Sequence, residues 1–157
     1  MFKNMHLVVA MLVAPVLAVL AWFAVDYFVA ERPHAAREGA AYTLIAKSNC
    51  RYDSGQCDLE NSDFNLSVRP VSVTSASVQL ELTSEFPLES AALGLVDNGA
   101  ALLPSPMSST TDDALKWTTS IDRPTRADAA IRIAVTAQGA TWFAEVPVIF
   151  MKVSDAP

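Results

Sequence analysis

The sequence predicts an all-β domain, an antiparallel β-sandwich of seven or eight strands, preceded by one transmembrane helix. Three observations carry this. Residues 7–25, LVVAMLVAPVLAVLAWFAV, are an unbroken apolar run. From Tyr42 onward, apolar and polar residues alternate with a period of two. Short clusters of Gly, Pro, Asn, Asp and Ser separate the alternating stretches at regular spacing.

The apolar run comes first. At about 1.5 Å of rise per residue, nineteen helical residues cover roughly 28 Å, the thickness of a bilayer's hydrocarbon core. Residues 1–30 therefore read as an anchor. Cleavage after Ala21 would satisfy the small-residue rule of a signal peptide through Val19 and Ala21. The run, however, continues through Trp22, Phe23, Ala24 and Val25, and Trp22, Phe23, Tyr27 and Phe28 gather at one end like an interfacial aromatic belt. Retention is the reading adopted. Pro15 reads as a tolerated membrane-helix proline. Asp26 lies just beyond the run, where its carboxylate reaches interfacial water.

Residues 31–41, ERPHAAREGAA, read as a juxtamembrane linker, with Pro33 disfavouring helix before it and Gly39 loosening its end. The sandwich follows over residues 42–153, and residues 154–157 form a tail. Within the domain, YTLIAKS (42–48) is the first strand. FNLSV (64–68) sets Phe64, Leu66 and Val68 on one face, and SVQLELT (77–83) does so with Val78, Leu80 and Leu82. Such alternation marks strands with one dry and one wet face. ALGLV (92–96) and ALL (101–103) flank Asp97-Asn98-Gly99, a tight-hairpin signal. A longer loop rich in Pro, Ser and Thr leads to LKWTTSI (115–121). IRIAV (131–135) and TWFAEVPVIF (141–150) close the domain, with Pro147 requiring a strand edge or a bulge. This spacing points to an immunoglobulin-like sandwich, with a small barrel as the alternative.

The chain carries a net charge of −6. Removing residues 1–30 takes away one base, Lys3, and one acid, Asp26, so the domain keeps that charge. An acidic domain repels phosphate backbones, which argues against nucleic acid as a partner. Both histidines, His6 and His34, precede the strands. The domain therefore has no imidazole for Ser-His-Asp or Cys-His catalysis or for the usual zinc and copper sites. No G-x-S-x-G elbow, S-x-x-K motif or glycine-rich phosphate loop is present. These absences predict a non-enzymatic domain without a cofactor.

Cys50 and Cys57, seven positions apart in a Gly-containing loop, are the constellation that carries chemistry. An oxidising compartment makes them a structural disulfide. A redox pair would want C-x-x-C at a helix amino terminus, and a metal site would want further soft ligands. Met107 is a lone thioether. Asp112-Asp113 lacks EF-hand spacing and reads as a solvated loop. Asn65-Leu66-Ser67 matches a glycosylation sequon inside a predicted strand. Trp117 and Trp142 are expected in the core.

Only Lys3 precedes the helix, whereas Arg32 and Arg37 follow it, so flanking charge defines orientation poorly. The cysteine pair favours an inside amino terminus and a domain in the periplasm, with the helix in the inner membrane. Anchor, early cysteine pair and the late LKWTTSI and TWFAEVPVIF strands together resemble the FixH-like and YtkA-like proteins of bacterial membranes. The resemblance spans most of the chain as architecture. It implies a role alongside assembly of copper-containing respiratory oxidases, although the Met- and His-containing segments of copper handling are missing here. The expected function is that of an accessory protein holding a protein partner at the membrane, in the assembly of an envelope or respiratory complex. A ligand- or metal-binding module, drawing on Cys50, Cys57 and Met107, is the alternative.

Overall fold

The computed structural model describes residues 4–29, 36–97 and 99–151. Helix α1 spans Met5–Val29 and contains Pro15. Its window Val8–Val25 is long and apolar enough to cross a membrane. Among the described side chains of α1, apolar groups lie on every side without a polar stripe, the pattern of a segment that needs apolar surroundings. The Asp26 side chain, residues 31–35 of the expected linker, Asn98 and the tail lie outside the described residues.

The second unit is a sandwich of two sheets. Seven described strands have five or more residues: β3 (Cys57–Asn61), β4 (Phe64–Val73), β5 (Ser77–Ser84), β6 (Ser90–Asp97), β10 (Lys116–Asp122), β11 (Ala130–Ala137) and β12 (Ala140–Pro147). Five shorter segments complete the edges: β1 (Ala41–Thr43), β2 (Ile45–Ala46), β7 (Ala100–Ala101), β8 (Ser105–Pro106) and β9 (Ser108–Ser109). Sheet A has the order β1-β12-β11-β6-β7, with β8 also on β6; sheet B has the order β2-β3-β4-β5-β10-β9. This is the predicted β-sandwich behind one helix.

Alternation decides which side chains meet. Leu59, Leu66, Val68, Leu80 and Leu82 from sheet B face Leu93, Ile131, Ile133, Val135 and Val146 from sheet A in one core. Each such side chain contributes about 1.5–3 kcal/mol on burial. At one end of this core Tyr42, Trp142, Phe64 and Phe86 stack in sequence. Their ring centroids are 4.6 Å apart for Tyr42–Trp142, 4.4 Å for Phe64–Trp142 and 6.1 Å for Phe64–Phe86. Trp142 therefore takes the expected core position, and Trp117 packs half-buried against the core with its indole N–H donating to the Ala114 carbonyl at 2.8 Å.

Both edges depart from the sequence reading in the same way. The stretch read as one strand, 42–48, is two. β1 pairs in parallel with β12, buried Leu44 passes between the sheets, and β2 pairs antiparallel with β3. At the opposite edge the stretch read as a loop does likewise. β8 pairs with β6, buried Met107 passes between the sheets, and β9 pairs with β10. Of ALL (101–103), only Ala101 is in a strand; Leu102 and Leu103 are exposed. A segment that serves both sheets covers two exposed edges with few residues. The β1–β12 ladder is parallel because the chain enters beside β12 running in the same direction.

Prolines sit where ladder bonds are absent. Pro147 pairs with Ala130 at the last position of β12, beyond the reach of β1. Pro70 lies past the end of β3, at an irregularity in the β4–β5 register. Gln138 and Gly139 have φ of 53° and 71° and join β11 to β12 as a two-residue turn. A side chain at Gly139 would also press on Glu38, 3.0 Å from the added carbon. The chain's entry is tied to this turn, since Gly39 N–H donates to the Gly139 carbonyl at 2.8 Å.

Candidate functional site

Cys50 and Cys57 are joined as a disulfide and both are fully buried. Cys50 lies in a 3-10 turn, Ser48–Arg51, and Cys57 opens β3. The intervening loop is held to the end of the chain's described part by Gly55 N–H donating to the Phe150 carbonyl at 2.9 Å. Asp58, next to Cys57, accepts hydrogen bonds from Gln56 at 2.7 Å and Asn49 at 2.8 Å, and a very short one from the Ser67 hydroxyl. Burial raises the Asp58 pKa, but these three donors and the Lys47 charge outweigh it, and the carboxyl titrates below its ordinary 3.8. Disulfide and carboxylate together organise one loop.

Asp58 belongs to the outer face of sheet B, where a polar groove of about 390 Å³ is lined by Lys47, Gln56, Asp58, Asn65, Ser67 and Glu85 among others. These groups mostly bind each other. Lys47 pairs with Glu60 at 2.7 Å, and the Asn65 amide donates to Glu85 at 3.0 Å. Farther along the face, Arg69 pairs with Glu81 at 2.6 Å. Asn65 of the sequon is thus half-buried within a strand ladder.

Sheet A presents a different outer face. Thr43, Phe143, Ala134 and Ala92 are aligned in one row across four strands, because Thr43 pairs with Phe143, Phe143 with Ala134 and Ala134 with Ala92. Phe143 is 42% exposed. Its β11 neighbour, Ala134, carries only a methyl group, so the ring stands beside a hollow on that side. The groove here has a volume of about 500 Å³ and includes Phe143, Ala134, Ala92 and Pro104 in its lining. Pro104 forms one wall. It passes over Gly94, where an added side-chain carbon would lie 3.3 Å from the Leu102 carbonyl oxygen and 3.5 Å from Pro104 Cα. One row on, Arg132 pairs with Glu145 at 2.6 Å, both more than half exposed.

The sequence reading missed this row. Phe143 is visibly out of phase with Trp142 in TWFAEV, which marks it as outward. Nothing local reveals the whole row, because Ala134 lies across the β11–β12 hairpin while Thr43 and Ala92 come from strands distant in sequence.

The remaining sites of interest resolve as structural groups. Met107 is 5% exposed between the sheets. Asp113 accepts the Leu115 N–H at 3.2 Å in an exposed turn, and a hydrogen bond from the Thr111 hydroxyl lowers its pKa. The soft donors weighed for copper do not fit a metal centre: both sulfurs of the cysteines are spent in the disulfide and Met107 is enclosed. Among the described residues no group of three or more His, Cys, Asp or Glu is placed to hold a metal ion. Trp142 Nε1 is buried without a hydrogen-bond partner among the described residues.

No family model matches the chain, and no curated protein matches it. Among solved structures, the chain is similar to one titled "Crystal structure of Br derivative BhCBM56", at 14% identity and a TM-score of 0.40, over 57% of this chain and 92% of that one.

Proposed function

We propose that this chain is a non-catalytic accessory protein of the inner membrane. In this reading α1 is a retained anchor, the sandwich lies in the periplasm, and it acts through protein contacts in assembling an envelope or respiratory complex. The observation that carries the reading is the outer face of sheet A: an exposed aromatic ring in an apolar row, rimmed by a charged pair. Contiguous apolar surface on a sheet face favours protein association, because covering it releases water from both partners. The disulfide supports the oxidising compartment, and the length and composition of α1 support the anchor.

The test uses the full chain in membranes with a photo-crosslinking residue at Phe143, and at Thr118 on sheet B as the control. Protein adducts at position 143 and few at 118 are expected, together with an intact amino terminus by mass spectrometry. A mature chain beginning at Trp22 would remove the anchor from the reading. An absence of protein adducts at 143 would overturn the contact.

A ligand-binding module would draw on the sheet B groove rather than on Cys50, Cys57 and Met107. Its donors and acceptors are already engaged with one another, so a ligand would have to displace existing hydrogen bonds.

A further inference from the structure

We infer that the outer face of sheet A docks a second copy of this chain, through a two-fold axis parallel to the strands and lying between β11 and β12. The inference rests on the protein-contact reading above and names its partner.

The face is complementary to itself under that rotation, which keeps height along the strands and exchanges left for right. Phe143 on β12 and Ala134 on β11 are at one height, so each copy's ring falls over the other's methyl hollow. Glu145 and Arg132 are also at one height, on β12 and β11 respectively. Each carboxylate therefore falls over the other copy's guanidinium, and charges paired within one chain pair again across the interface. The wall fits as well. β1 leaves sheet A after Thr43, so among the described residues no strand lies beyond Glu145 in its row on that side. Rotation brings the other copy's Pro104, over Gly94 in that same row, above this vacated place.

Real sheets packed face to face are rotated by about 30°. Groups two residues from the centre, about 7 Å along the strand, then shift by roughly 3–4 Å, which an arginine side chain spans. An axis parallel to the strands also leaves both chain entries facing the same way, as two chains anchored in one membrane require. An axis across the strands would oppose them.

Magnitude sets the conditions. Eight-residue strands are about 27 Å long and five lateral positions cover about 19 Å. That is a footprint of roughly 500 Å² per copy, at the lower bound for a specific interface. Confinement to a membrane raises the effective concentration and makes so small an interface sufficient.

The experiment uses full-length chains bearing two different tags, expressed together in one membrane, with the photo-crosslinker at Phe143. The expected product joins the two tags, with the adduct on the peptide containing Ala134. R132E and E145R chains supply the second arm. Each alone sets like charges across the axis and should lose about tenfold or more of its self-crosslinking. Expressed together, an R132E chain and an E145R chain place opposite charges at both contacts and should recover it in the mixed pair. Adducts to a different protein would overturn the second copy while leaving the protein-contact reading standing. Self-adducts unaffected by either charge reversal, or no recovery in the mixed pair, would overturn the axis. A lack of any protein adduct would overturn both readings.

Discussion

On sheet B, outward positions are filled by Asp58, Glu60, Ser67, Arg69, Glu81 and Thr83, and the side chains there bind one another. On sheet A, the same alternation places Thr43, Phe143, Ala134 and Ala92 outward in one row, with Arg132 and Glu145 beside it. The sheets use the same pleat and share one core, so neither is distinguished by how it folds. They differ in what remains unsatisfied. Side chains of the polar face bind one another, whereas Phe143 in the other row stays exposed and, in the proposed reading, is covered by another surface. Stability should therefore depend on the first face and association on the second.

Substitutions can break that division. The largest effect is expected from C50A/C57A. Opening a loop of about eight residues costs roughly 2–3 kcal/mol in the chain-entropy model, read as a lower urea midpoint, with crosslinking through Phe143 retained. If association fell while stability held, the two roles would be reversed.

D58N comes next, at about 1–2 kcal/mol, because a carboxylate with three donors becomes an amide with one acceptor oxygen. Its pH dependence is a sharper test. The folded carboxyl titrates below its ordinary 3.8, so the unfolded chain binds its proton first as pH falls. That stabilisation is complete above the unfolded pKa, about 3.9, and is lost as pH falls through the lower folded value. Unfolding midpoints measured downward from pH 5 should drop less steeply in D58N than in the parent.

R69A should cost less, about 0.2–1 kcal/mol, since the Arg69 side chain is half exposed and such pairs are screened. The smallest effect on folding is expected from F143S, within about 0.5 kcal/mol for an exposed position, yet it should remove most of the association. A large loss of stability in F143S would show that the ring packs for the fold and would dissolve the contrast between the faces.

The strongest sequence signals were the strand interiors. Leu66, Val68, Leu80, Leu82, Ile131 and Ile133 all point inward as their alternation requires. The edges were harder to read. β8 and β9 are two residues each, too short for a period, and exist through backbone pairing with Ala92, Leu93, Trp117 and Thr118. Leu44 interrupts a run that reads as one strand, and only its burial between sheets reveals the crossing. The cysteine loop was visible as spacing, but its tie to Asp58 and Phe150 was not, because those partners are set by the packing of β3 and the chain end.

By itself the sequence determined what depends on neighbours along the chain: an apolar helix of membrane length, strands of alternating phase, and a cysteine pair close enough to join. Helical rise and strand pleat are local geometry, so composition and period suffice. Tertiary structure alone decided which outward residues share a row, which edges are crossed, and what surrounds Phe143. Those depend on register between strands as far apart as Ala92 and Phe143, and register is set by the whole core at once.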